Sequence, residues 1–120
     1  MILVDTSVWV EHLRSGNATL ADELQAGRVL THPFVIGELA CGNLRNRREV
    51  LVLLGRLPSV PTATHAEALG FLERRALMGR GIGFIDVHLL ASVALAAPAQ
   101  LWTRDKALSA VATELNLDYA

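Results

Sequence analysis

The chain has 120 residues and a formal net charge of −1. That length suits a single domain over residues 1–120 with a real core, and near-neutrality excludes attachment to nucleic acid by bulk positive charge, so any basic surface has to be local. No apolar run approaches the roughly 20 residues of a membrane span, no basic stretch precedes an apolar leader, and the lone Cys41 rules out an internal disulfide and argues against thiolate zinc chemistry; the expectation is a cytoplasmic protein.

Ile2, Leu3 and Val4 form a continuous apolar run, as in a strand covered on both faces. Asp5 stands where that strand ends, and Thr6 and Ser7 offer hydroxyls to cap a helix over Val8–Arg14. Asn17 is placed to cap a second helix through Gln25, and Arg28–Thr31 reads as a second strand. His32-Pro33 opens a helix to about Leu44 that carries Glu38, with proline tolerated in the first turn. Arg45, Arg47 and Arg48 make a basic knot before a helix near Arg47–Leu57. Pro58-Ser59-Val60-Pro61 allows at most a very short third strand. Thr64 and Glu67 form a capping box for a helix to about Met78, with Leu69, Leu72 and Ala76 on one face. Asp86 starts a nearly all-apolar helix to Ala97, buried on most sides. Leu101–Thr103 is a fourth strand, Asp105 opens the last helix to about Leu115, and Asn116–Ala120 leaves room for a brief fifth. Strands alternating with helices specify an α/β fold with a mostly parallel sheet of four to five short strands.

Four carboxylates fall at informative places. Asp5 and Asp105 follow strands, so a parallel sheet sets both on its carboxyl edge, where open α/β sheets bind ligands. The helices carrying Glu38 and Asp86 can reach the same edge. Four acids together repel and raise one another's pKa unless a cation offsets them. Hard oxygen ligands select Mg²⁺ or Mn²⁺, and such a site can activate water and stabilise the leaving oxygen of a phosphodiester. Each acid also has a plainer explanation. Asp5 suits a turn, Asp86 and Asp105 suit helix starts, and Glu38 suits a polar stripe, although its neighbours Phe34–Gly37, Leu39 and Ala40 are almost all apolar.

Ile2-Leu3-Val4-Asp5-Thr6-Ser7, Glu38 after Pro33, the run Gly83–Ala91 around Asp86, and Thr103-Arg104-Asp105 resemble the PIN domain, and more narrowly the VapC-type toxins of bacterial toxin–antitoxin pairs. The resemblance spans essentially the whole chain. It implies a three-layer α/β/α sandwich and a magnesium-dependent endoribonuclease that hydrolyses phosphodiesters in structured RNA (transfer or ribosomal) with metal-activated water. It also implies a small antitoxin partner and a homodimer. By position, Asp5, Glu38, Asp86 and Asp105 take the acidic catalytic roles. Asp5, Asp86 and Asp105 would lie nearest the metal, Thr6 and Thr103 would orient the cluster, and Ser7 would cap. The family's antitoxin groove directs attention to Leu51 and Leu54.

Among other residues, Arg104 beside Asp105 and Arg14 are candidates for RNA phosphate contacts. Trp9 and Trp102 fit core packing better than base stacking, His88 fits a locally hydrogen-bonded histidine better than a ligand, and Cys41 fits a small core residue. A haloacid-dehalogenase-like phosphatase needs a second Asp where Ser7 stands. An Asp-x-Ser-x-Ser adhesion site needs Ser where Trp9 stands, and a receiver domain needs paired early acids. The remaining alternative is a PIN-like module that binds RNA or protein without cutting.

Overall fold

The computed structural model describes residues 1–119. Its centre is a parallel sheet of three strands in the order β2-β1-β3: β1 (Ile2–Val4), β2 (Val29–Leu30) and β3 (Gln100–Trp102). Ile2, Leu3 and Val4 are all buried, which explains their unbroken apolar run. Between the strands lie α1 (Thr6–Ser15), α2 (Ala18–Gln25), α3 (Pro33–Cys41), α4 (Arg47–Arg56), α5 (His65–Arg74) and α6 (Phe84–Leu95), and α7 (Lys106–Glu114) follows β3. With β1 central, the chain leaves it toward β2 and later returns on its other side to β3. The strand order therefore reverses at β1, which makes its carboxyl edge the binding position of such a sheet.

Four to five strands were expected and three form among the described residues; Ala120, the last residue of the expected fifth, lies outside them. Ser59 reaches the sheet only as an isolated bridge to Thr31. The Thr31 N–H bonds to the Pro58 carbonyl and the Val60 N–H to the Thr31 carbonyl. Pro58 and Pro61 have no N–H to carry the ladder further. At the other end, Asn116 adopts a left-handed φ of 58° and the Leu117 N–H closes onto the Ala112 carbonyl at 2.9 Å, a Schellman-type stop to α7. Only Asp118 then bridges to Leu101.

Several boundaries move for similarly local reasons. The helix α1 starts at Thr6 with Asp5 as N-cap, so Thr6 and Ser7 lie inside it rather than capping it. The helix α3 stops at Cys41, where the Arg47 guanidinium donates twice to the Ala40 carbonyl; part of the basic knot is thus a helix terminator. Ala76, at φ 52°, ends α5 early, with the Leu77 N–H on the Leu72 carbonyl. The buried face of α5 is Ala68 and Phe71, while Leu69 is exposed. The Asn17 cap and the Thr64–Glu67 capping box form as expected. Seven consecutive residues of α6, Val87 to Val93, are buried, so this helix is the core's central column. Cys41 is exposed rather than packed in the core.

Candidate active site

The register of β1 against β3 builds the centre of the site. Val4 pairs with Trp102, so Asp5 and Thr103 leave the sheet side by side, and the Asp5 N–H is held by the Trp102 carbonyl at 2.9 Å. Two hydroxyls donate to one oxygen of the buried Asp5 carboxylate: Thr103 Oγ1 to Oδ2 at 2.8 Å, and Ser7 Oγ to Oδ2 at 2.8 Å. Their direction is fixed by what they accept. The Asp105 N–H donates to Thr103 Oγ1 at 3.1 Å and the Arg104 N–H to Ser7 Oγ at 3.0 Å. A hydroxyl has one proton, and with backbone N–H groups on its lone pairs that proton points at Asp5. Ser7 is therefore a carboxylate-holding residue and not a helix cap. The second oxygen of Asp5 is left to other partners.

Three more acids gather around this edge. Glu38, on the exposed face of α3, accepts at Oε1 from the Thr6 hydroxyl at 2.8 Å. Asp86 sits in the first turn of α6 and accepts the Gly83 N–H at Oδ2, 3.1 Å away. Asp105 caps α7, its Oδ1 taking the Leu108 N–H at 2.9 Å. Asp86 and Asp105 each spend one oxygen on a helix terminus, as the plain reading of each expects, and retain the other.

The four acids share one electrostatic neighbourhood. Burial pushes the Asp86 carboxyl above its ordinary value, and the charges of Asp5, Asp105 and Glu38 push it the same way; the Gly83 N–H opposes them. Among the described residues no basic side chain forms an ion pair with these acids; the pairs present are Arg28–Glu23, Arg80–Glu114 and Arg104–Glu11.

Their fit to a divalent cation can be judged from the donors. All are oxygens, as a hard cation requires, and their combined charge is uncompensated. Yet among the described residues no three His, Cys, Asp or Glu side chains close on a common point as a ready-made ligand group. A magnesium ion that keeps several waters requires few direct ligands. The donor set fits such an ion.

Comparison with known proteins agrees with the geometry. A family model described as "PIN domain" matches residues 2–114. Two curated proteins called "Ribonuclease VapC32", from Mycobacterium tuberculosis strains CDC 1551 / Oshkosh and ATCC 25618 / H37Rv, are each 52% identical over 114 residues, covering 95% of this chain and 92% of theirs. The chain belongs to the PIN domain family, in its VapC-type ribonuclease branch.

Other expected site residues fall differently. Arg104 lies beside the acids but pairs with Glu11 at 3.2 Å. Arg14 is on the far end of α1, where it lines a groove with Val10, Leu13, Leu44, Arg45 and Val50. Leu54 is 4% exposed and belongs to the core, and Leu51 is half-buried against it; the large apolar residues of α4 that are exposed are Val52 and Leu53. Trp9 is buried as expected, and Trp102 packs against Tyr119. His88 is buried, but its Nδ1 has no hydrogen-bond partner, so the locally satisfied histidine expected there is not what forms. His32 opens α3 together with Pro33 as expected, and its burial and capping role are what the sequence did not mark. It is fully buried and its Nδ1 caps α3 by accepting the Phe34 N–H at 3.0 Å. Histidine is not a usual N-cap, and the only available signal was the Pro33 that follows it.

Proposed function

We propose that this chain is the ribonuclease toxin of a toxin–antitoxin pair and that Asp5, Glu38, Asp86 and Asp105 hold a magnesium or manganese ion at the carboxyl edge of the sheet. The observation that carries this reading is the buried Asp5 carboxylate at the carboxyl edge of the sheet, one oxygen held by Thr103 and Ser7, with no ion pair among the described residues to Asp5, Glu38, Asp86 or Asp105. A protein gains nothing in stability from such a cluster, so its use lies in what binds there. The relatives' name, Ribonuclease VapC32, supports RNA as the substrate.

When bound, the ion would supply an acidified water and neutralise charge on the phosphodiester. The protein's part is orientation. Ser7 and Thr103 hold one oxygen of Asp5, which leaves the other for a ligand. Thr6 holds Glu38, and the caps at Gly83 and Leu108 set the angles of Asp86 and Asp105. A carboxylate with a spare oxygen can take the proton of the attacking water, and hydrolysis then leaves a 3′-hydroxyl and a 5′-phosphate. Structured transfer or ribosomal RNA is the expected substrate class. The antitoxin's place is the groove of about 520 Å³ lined by Val10, Leu13, Leu44 and Val50 together with Arg14 and Arg45, with exposed Val52 and Leu53 on the same helix α4 as Val50; an amphipathic segment fits such a surface.

The test is RNA cleavage by protein freed of any antitoxin, with Mg²⁺ and with chelator, alongside Asp5→Asn. Cleavage should require the cation and be lost in the variant. Activity that survives both chelation and the substitution overturns the assignment.

A further inference from the structure

Arg104 makes an ion pair that stability does not explain. Its Nε lies 3.2 Å from Oε2 of Glu11, and the two side chains are 55% and 28% exposed. A pair this exposed contributes little to a fold. Nearer carboxylates are passed over. Arg104 forms no ion pair with Asp105, the next residue in the chain, nor with Asp5, Glu38 or Asp86.

Glu11 is itself braced from its other side. Its Oε1 accepts the Asn17 side-chain amide at 2.7 Å. Asn17 is fixed in turn, because its Oδ1 caps α2 at the Leu20 N–H and its own backbone N–H donates to His12 Nδ1. One oxygen of Glu11 is thus spent on Asn17 and the other faces the guanidinium. Among the described residues Arg104 is held at two points, its backbone N–H and its Nε, and its two terminal nitrogens are left without a hydrogen bond.

Both holding points belong to the site. Arg104 stands between Thr103 and Asp105, and its backbone N–H donates to Ser7 Oγ at 3.0 Å, the hydroxyl that donates to Asp5 Oδ2 at 2.8 Å. Glu11 follows Ser7 by one turn of α1, so the two share a face with Cβ atoms about 5–6 Å apart. The guanidinium therefore stands within one side chain's length of the bonds that anchor Asp5.

We propose that Glu11, braced by Asn17, holds Arg104 clear of the four acids so that the free fork of its guanidinium grips a phosphate of the RNA strand beside the scissile one. This rests on the ribonuclease reading above and adds to it how the strand is registered on the acids. An untethered guanidinium here would be drawn onto the carboxylates and would compete with a cation for them. Engaging Nε alone leaves the two terminal nitrogens, which can meet two phosphate oxygens in parallel bonds. Glu11 is then a positioning residue and Arg104 the strand contact.

The experiment uses one RNA that the protein cuts with Mg²⁺, drawn from a random single-stranded pool and resynthesised with an uncharged methylphosphonate linkage at each position in turn. In the unmodified protein, one such linkage near the cut, other than the scissile one, should raise KM about tenfold. In Arg104→Gln that penalty should shrink toward onefold, and the slope of log kcat/KM against log salt concentration should fall in magnitude by about one. Arg104→Lys keeps the charge without the fork, so it should keep the slope and recover only part of KM. Glu11→Asp keeps its charge but is too short to reach both partners. It should raise KM about threefold, and that rise should vanish in the Arg104→Gln background, as a purely structural role for Glu11 would not require. Circular dichroism on each variant checks folding. A scan that is flat away from the scissile linkage overturns the phosphate contact while leaving the ribonuclease reading intact, as does a penalty unchanged in Arg104→Gln. Should Arg104→Gln not fold, Arg104→Lys decides, because an undiminished penalty there also overturns the contact. A Glu11→Asp effect that persists without Arg104 overturns the positioning role. Failure of the unmodified protein to cut any RNA removes the ribonuclease reading itself.

Discussion

Thr103→Val keeps the side chain's shape and removes one hydroxyl, so it isolates the polar joint on which Asp5 rests. The lost bond is the 2.8 Å donation to Asp5 Oδ2. The acceptor is charged and 7% exposed, so water does not readily replace the donor. A hydrogen bond to a charged group contributes about 1.5–3 kcal/mol. The Asp105 N–H also loses its acceptor, but Asp105 is exposed and water can answer it there. The expected loss is about 2 kcal/mol, or about 8 °C in Tm for a domain of this size. Urea and thermal unfolding in chelator measure it without interference from cation binding. Thr113→Val is the control: its exposed hydroxyl donates only to the Ser109 carbonyl, and its effect should stay within about 0.5 kcal/mol. A double-mutant cycle with Asp5→Asn should return a coupling of about 1 kcal/mol, because the hydroxyl then meets a neutral amide. Full additivity, or a Thr103→Val protein as stable as the parent, would show that the hydroxyl does not support the carboxylate.

Three further outcomes are expected. Asp86→Asn removes one of the repelling charges and keeps an acceptor for the Gly83 N–H, so in chelator it should unfold at a higher temperature than the parent, by about 1 kcal/mol in stability, while cleavage is lost; an unchanged or lower melting temperature would mean that the acids do not strain one another. Burial, with a smaller push from the nearby His88, holds the His32 imidazole down at about 4, against an ordinary 6.5. The unfolded chain therefore takes up the proton first, and stability present above pH 6.5 drains as pH falls toward 4, by up to about 3 kcal/mol; His32→Asn, which can still cap α3, should flatten that part of the pH–stability curve. Leu54→Ala should cost about 2–4 kcal/mol as a core truncation, whereas Val52→Asp with Leu53→Asp should leave the melting temperature nearly unchanged and abolish capture of a co-expressed antitoxin. Retained capture by that folded double variant removes α4 from the docking surface.

Much of this protein could be read from local pattern. The continuous Ile2–Val4 run, the Asn17 cap, the Thr64–Glu67 box and the apolar length of α6 all specify their elements through contacts a few residues apart, and such contacts are visible in a linear string. Placement of acids at strand ends and helix starts was legible for the same reason, since a parallel sheet and its crossovers fix where those ends lie. What the string did not show is everything that depends on competition between distant groups. Whether Pro58–Pro61 and Asn116–Tyr119 become strands depends on which N–H groups their neighbours can supply. Ser7 reads locally as a cap, yet a carboxylate at the end of β1 and a threonine at the end of β3 claim its hydroxyl. Leu54 and Leu53 are alike as letters, and only the packing of α4 on the core assigns one to the interior and leaves the other outside. The pairing of Val4 with Trp102 is the step that turns two separate residues, Asp5 and Thr103, into one hydrogen-bonded unit across 98 positions of chain. Local chemistry chose the residues, and the long-range register of the sheet decided which of them meet, because only burial in a shared core can hold groups so far apart in sequence within hydrogen-bonding distance.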